Sequence, residues 1–159
     1  MSTPTIRESG IRDVVFGEDV IVHQPVNLYG CQIGDQVMIG PFVEIQSGVI
    51  VGARSRIQSH AFLCEGVTIG ADCFISHGVM FINDKFVMGG PARGDKSLWK
   101  TTTIGDRVSI GTGAIVLPVR ICEGAVIGAG AVVTKDIDVP GVYVGNPAHL
   151  LASASEDPS

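Results

Sequence analysis

Between Ile33 and Asp84 an apolar side chain returns at every sixth residue: Ile33, Ile39, Ile45, Val51, Ile57, Leu63, Ile69, Ile75 and Phe81. All nine sites conform although only 45% of the chain is apolar, so the period belongs to the fold rather than to composition. Four residues after these anchors runs a second row of small or branched residues, Val37, Val43, Val49, Ser55, Ala61, Val67, Cys73 and Val79. Gly follows the anchor directly at positions 34, 40, 52 and 70. Six residues are too few for a helix-turn unit and do not fit a 3.6-residue period, so each hexad reads as one short strand and one turn. Three such sides close a triangular coil of about 18 residues, which places each residue one strand spacing, about 4.8 Å, from the residue one coil further on. No hexad buries its anchor alone, and stacked coils bury a continuous apolar column.

The rest of the chain is placed by this ruler. Residues 1–13 carry no repeat and read as a cap or arm on the first coil. Val14, Val20 and Val26 keep the six-residue spacing, and the seven-residue step from Val26 to Ile33 predicts a bulge at Tyr29-Gly30. After Phe81 the next anchor is due at 87 but arrives at Ile104, so 17 residues are inserted within 85–103. An insert of this length on a compact repeat points to function. Ile110 and Val116 follow, a five-residue step to Ile121 makes a tighter corner at Val119-Arg120, and Ile127 and Val133 complete the series. Pro140-Gly141 ends the last coil, Val142-Tyr143-Val144 reads as a strand and Gly145-Asn146-Pro147-Ala148 as a turn. The Ser-, Ala- and acid-rich stretch 152–159 has nothing to bury and reads as a disordered tail. The expectation is one all-β domain over 1–159.

Composition narrows the function classes. A net charge of −5 argues against a general nucleic-acid binder, which needs a basic stripe. No apolar run reaches the ~18 residues of a membrane span and no basic leader is seen, so a cytoplasmic protein is expected. Cys31, Cys64, Cys73 and Cys122 form no C-x-x-C pair and read as buried thiols.

From about Val14 to Leu150 the chain resembles the left-handed parallel β-helix of the hexapeptide acyltransferases; the hand is implied by that resemblance alone. Phe81-Ile82-Asn83-Asp84, the long loop with Trp99, the run from Ile127 to Asp136 and Gly145-Asn146-Pro147-Ala148 are similar to the N-acetyltransferases of nucleotide-linked 3-amino sugars. The resemblance implies an acetyl-CoA-dependent transfer to a sugar amine by a homotrimer with active sites between subunits. The expected substrate is a dTDP-linked 3-amino-3,6-dideoxyhexose. A UDP-linked 3-amino uronic acid is the alternative, and there relatives follow the Asn closely with an Arg, where this chain has Asn83-Asp84-Lys85-Phe86. A metal-dependent β-helical enzyme and a non-catalytic scaffold are further alternatives.

The residues carry part of this chemistry themselves. Glu65 and Asn83 are 18 apart, so they stack at one corner with Asp84 beside them, where a carboxylate and an amide can orient an amine. An Asx turn with a solvated Glu is the plainer reading. His77 is a candidate general base, while a sugar amine that loses its proton to water or to the leaving thiolate needs no such base. His60 and His77 alone do not make a metal site, and none is expected. Five of the eleven cations, Lys85, Arg93, Lys96, Lys100 and Arg107, lie on the insert and its return strand, where Lys85, Arg93 and Trp99 are candidate substrate contacts. Gly111, Ala129 and Gly130 are small enough to let pantetheine pass, and the resemblance adds Lys135, Asn146 and Pro147 to the expected coenzyme site.

Overall fold

The structure, a computed structural model, describes residues 3–153. Twenty-one short strands wind into a left-handed β-helix of triangular section, with one 3-10 turn, Lys96–Leu98, as the only helical element among the described residues. The first side stacks Ile11–Arg12, Asn27–Tyr29, Glu44–Ile45, Phe62–Leu63, Met80–Phe81, Ile115–Val116 and Val132–Val133. The second stacks Val15–Phe16, Gln32–Ile33, Ile50–Val51, Val67–Ile69, Thr102–Ile104 and Arg120–Ile121. The third runs from Ile21–Val22 through Met38–Ile39, Arg56–Ile57, Phe74–Ile75, Ser109–Ile110 and Val126–Ile127 to Gly141–Val144 and His149–Ser153.

In the regular block the register is 18, as in Ile57 against Ile75 and Val51 against Ile69. Across the insert Val67 pairs with Thr102 and Phe81 with Val116, an offset of 35, so the inserted residues leave the coils aligned. Both rows face inward: Ile39, Ile45, Ile57, Leu63 and Ile75 are fully buried, and so are Val37, Val49, Ser55 and Val79. Their stacking makes one column of Ile, Val and Leu that no single coil could bury. The glycine after the anchor is forced by the coil spacing. A Cβ at Gly52 would stand 2.4 Å from the carbonyl carbon of Gly70, and one at Gly111 would stand 2.5 Å from the Ala129 nitrogen.

Three expectations need correction. The first coil is set one row out: Phe16, Val22 and Leu28 occupy the anchor row, while Val14, Val20 and Val26 belong to the small row. The corner at Tyr29-Gly30 is therefore a five-residue step from Leu28 to Ile33, one residue short rather than one long, and the register there is 17. Where both rows are apolar, six-residue spacing fits either frame. Ile11–Arg12 already pairs with Leu28 and Tyr29, so the coil starts within the stretch read as an arm. At the other end Ala152 and Ser153 are strand, paired antiparallel with Val142 and Gly141 in a hairpin. The remainder of the expected disordered tail lies outside the described residues.

Cys31, Cys64 and Cys73 are buried and Cys122 is partly so, all as free thiols. Burial raises the Cys31 and Cys73 thiols and pushes Cys64 up to about 11.

Candidate functional site

The expected site residues fall on the two edges that bound the first side. On the edge between the first and second sides, Asn83 sits one coil above Glu65, and its Nδ2 donates to the Glu65 carbonyl at 3.0 Å. Below them Gln46 Oε1 accepts the Glu65 N–H at 3.2 Å and Gln46 Nε2 donates to Glu44 at 2.9 Å. The Glu65 carboxylate takes both of its close contacts from Lys96, at 2.6 and 2.9 Å, and the Lys96 ammonium lies 5.7 Å from the centre of the Trp99 ring. A hollow of about 150 Å³ is lined by Glu65, Gly66, Lys96, Trp99, Lys100 and Thr101. An amine, a carboxylate and an indole at its wall suit a polar ligand with an apolar ring or thioester end.

Asp84 has a definite structural task. Its Oδ1 accepts the Phe86 N–H at 2.9 Å and its Oδ2 accepts the Ala92 N–H at 2.7 Å, which ties the start of the insert back on itself. The Lys100 N–H donates to the Asn83 carbonyl at 2.9 Å and closes the loop at its far end. Asp95 caps the 3-10 turn through the Ser97 N–H, so its carboxyl is held below the usual range by Ser97. The insert is thus a folded flap rather than slack chain. Its outer stretch shows Phe86, Val87 and Met88 to solvent, between exposed Lys85 and Arg93. No carboxylate among the described residues lies within ion-pair distance of Lys85, Arg93 or Lys100.

The opposite edge, between the third and first sides, carries the histidine and the small residues. His77 is exposed, and its Nδ1 shares a 2.8 Å hydrogen bond with Ser59 Oγ one coil below. Ser76 Oγ is 2.8 Å from Thr112 Oγ1 in the coil above. Further up, Gly113 and Gly130 turn the corner at φ 69° and 68°, and an added Cβ at either would meet nothing within 4 Å. The corner therefore presents bare backbone along two successive coils. Ala129 stands beside Gly130, whereas Gly111 is small because the next coil leaves no room. The turn holding Asn146 and Pro147 closes over this edge, since Val132 donates to the Gly145 carbonyl and accepts from the Ala148 N–H, each at 2.9 Å.

Lys135 departs from expectation. It follows the anchor Val133 by two residues, so it stands in the column of Glu65 and Asn83 and not on the glycine edge. A side of about five extended residues separates the edges by roughly 15 Å. His77 and the glycine corners therefore do not meet Asn83 or the insert within one chain. His60 and His77 are neighbours on the glycine edge but have separate partners, His60 stacking on Phe42 and His77 bonding Ser59. The Phe42–His60 pair went unread in the sequence, although the two are 18 apart and the ruler places them together. Gln46 was missed because its neighbour in the next coil is offset by 19.

Residues 30–65 match the family model for the bacterial transferase hexapeptide of six repeats, and residues 101–135 match the hexapeptide repeat of succinyl-transferase. A serine acetyltransferase of Mycobacterium tuberculosis is 36% identical over 119 residues, covering 73% of this chain and 48% of that protein. The bifunctional protein GlmU of Acidithiobacillus ferrooxidans is 30% identical over 141 residues, covering 83% of this chain and 30% of that protein. The chain thus spans half or less of these curated relatives. Among solved structures, a mutant of AntD, an N-acyltransferase from Bacillus cereus in complex with dTDP and coenzyme A, superposes with a TM-score of 0.77 at 24% identity, over 89% of this chain and 84% of that one. A maltose O-acetyltransferase from Clostridium difficile superposes with a TM-score of 0.65 at 26% identity, over 89% and 72%. In repeat and in architecture the chain is a hexapeptide-repeat left-handed β-helix protein.

Proposed function

We propose that the protein is an acyltransferase that moves the acetyl group of acetyl-CoA to the amine of a nucleotide-linked amino sugar, a dTDP-linked 3-amino-3,6-dideoxyhexose being the expected acceptor. The observation that carries this reading is the folded insert closed over the Glu65–Asn83 corner, with Lys96 and Trp99 in the hollow. The resemblance of the repeat to acetyltransferases and the dTDP and coenzyme A named for AntD agree with it. The working form is a homotrimer. One chain's glycine edge holds the pantetheine arm along Gly111, Ala129 and Gly130 under Asn146 and Pro147, and a neighbour's insert holds the sugar. This pairing of edges from different chains joins groups that one chain keeps apart.

In the reaction the unprotonated amine attacks the thioester carbonyl carbon, the C–N bond forms and the C–S bond breaks. The amine proton passes to the departing thiolate, directly or through water, and coenzyme A leaves as the thiol. Asn83 and Glu65 orient the amine, Asp84 keeps the insert shaped around it, and Lys85, Arg93 and Lys135 face the phosphates of the two ligands. His77, held by Ser59, is placed to accept the proton where it reaches the amine. Catalysis is then mainly positioning and exclusion of water. Thiol release from acetyl-CoA, followed across nucleotide-linked 3-amino and 4-amino sugars and their hydroxyl counterparts, tests the assignment. Turnover confined to the amino sugars is expected, and release with hydroxyl acceptors alone would refute N-acetylation.

A further inference from the structure

The glycine edge changes character along its length. In its upper coils the turn is Gly78, Gly113 or Gly130, at φ 64°, 69° and 68°. At the same register in the two coils below stand His60 and Phe42, at φ 63° and 61°. The left-handed conformation costs a bulky L residue roughly 1–2 kcal/mol, and Asp, Asn or Gly normally fills it. The edge between the second and third sides fills the same turn with Asp19, Gln36, Arg54, Asp72, Arg107 and Gly124, bulky residues among them but none apolar. Phe42 and His60 instead bring two rings to the surface, stacked with centroids 4.8 Å apart and planes 14° off parallel. Phe42 remains 57% exposed, so neither burial nor turn geometry accounts for the choice.

Beside Phe42 opens a hollow of about 310 Å³, lined by Ser9, Pro25, Val26, Asn27, Phe42, Val43 and Glu44. Its polar wall is ordered. Asn27 Nδ2 donates to Glu44 Oε2 at 3.0 Å, Gln46 Nε2 holds the other Glu44 oxygen at 2.9 Å, and Asn27 Oδ1 receives Arg12 at 3.4 Å. Each Glu44 oxygen keeps a lone pair and the Asn27 amide keeps a second proton. A donor beside an acceptor is the complement of the imide edge of a pyrimidine, where a ring N–H is flanked by carbonyls.

We propose that the Phe42–His60 ledge is the platform on which a pyrimidine base of the nucleotide substrate stacks, with Asn27 and Glu44 reading its imide edge. This rests on the nucleotide-sugar reading given above. The spacing suits it: Phe42 lies two coils, about 10 Å, below the level of His77, a separation that a ribose and a diphosphate can bridge between base and sugar.

The test uses the full chain and titrates dTDP, dGDP and coenzyme A separately by calorimetry, with light scattering alongside. Phe42→Asn and His60→Asn keep the left-handed turn tolerable. Base–aromatic stacking is worth about 1–3 kcal/mol, so each variant should weaken dTDP about 5- to 150-fold, and dTDP-sugar KM likewise, with kcat and the coenzyme A affinity unchanged. Glu44→Gln should narrow the preference for dTDP over dGDP. Undiminished dTDP affinity in both ring variants would overturn the platform while leaving the nucleotide-sugar reading intact. Failure of the wild-type chain to bind any nucleoside diphosphate would overturn both. Joint loss of dTDP binding, coenzyme A binding and the assembly would show that the ledge is a subunit contact instead.

Discussion

Removing the Asp84 carboxylate separates a loop staple from a chemical participant. Asp84→Ala deletes two hydrogen bonds, to the Phe86 N–H at 2.9 Å and the Ala92 N–H at 2.7 Å. A hydrogen bond to an ionised group contributes about 1.5–3 kcal/mol, and a half-buried site sits at the low end, so the pair is worth about 3 kcal/mol of loop order. At 1.4 kcal/mol per tenfold, the insert should open on the order of 100 times more often. Amide exchange resolved at Phe86 and Ala92 should accelerate by that factor, while the core amides of Ile57 and Ile75 hold their protection. Asp84→Asn keeps one acceptor oxygen and should show an intermediate acceleration of about tenfold, and kcat/KM should fall in the same order. Unchanged exchange at both amides in Asp84→Ala would refute the staple. Loss of activity in Asp84→Asn with full loop protection would return the residue to a direct role on the amine.

Three other perturbations probe separate links. Gly111→Ala puts a Cβ 2.5 Å from the Ala129 nitrogen, a rigid neighbour, so overpacking of about 1–3 kcal/mol should lower the melting temperature by several degrees; an unchanged melt would contradict the coil spacing. The buried thiols should make the fold less stable at high pH. Their folded pKa values lie above the unfolded 9.0, with Cys64 at about 11, so stability present below pH 9 should be lost as the pH rises towards 11, and urea melts at pH 8 and 10 would show it. His77→Asn should cost less than ~10²-fold in kcat if positioning dominates, and its pH–rate limb should then follow the amine pKa of the substrate; a loss beyond ~10³-fold would make the imidazole an essential base.

How far the sequence alone specifies this fold follows from the physics of the repeat. Six-residue spacing between Ile33 and Phe81 is unambiguous because large anchors and small residues alternate there, and the 17-residue insert was countable because the frame resumes at Ile104. The frame failed at Val14, Val20 and Val26, where both inward rows are apolar and spacing alone cannot tell them apart. The ruler also placed Glu65 under Asn83, since columns are fixed by sequence separation. It could not show that Asp84 spends its oxygens on Phe86 and Ala92, or that Lys96 folds back on Glu65, because contacts inside an irregular insert have no period. Lys135 is expected in the coenzyme site by resemblance alone, and its own distance from Val133 puts it on the edge opposite Gly111, Ala129 and Gly130.

The assignment of one active site to two chains is most directly tested by subunit complementation. Gly113→Phe blocks the glycine edge, in a turn whose register tolerates Phe42, and Asn83→Ala disables the insert edge; each chain alone should be inactive. If each site takes its two edges from different chains, random trimers refolded from an equal mixture carry both intact edges at about one interface in four. Acetyl transfer should then recover to about a quarter of the wild-type rate. An inactive mixture of correctly assembled trimers would contradict a shared site.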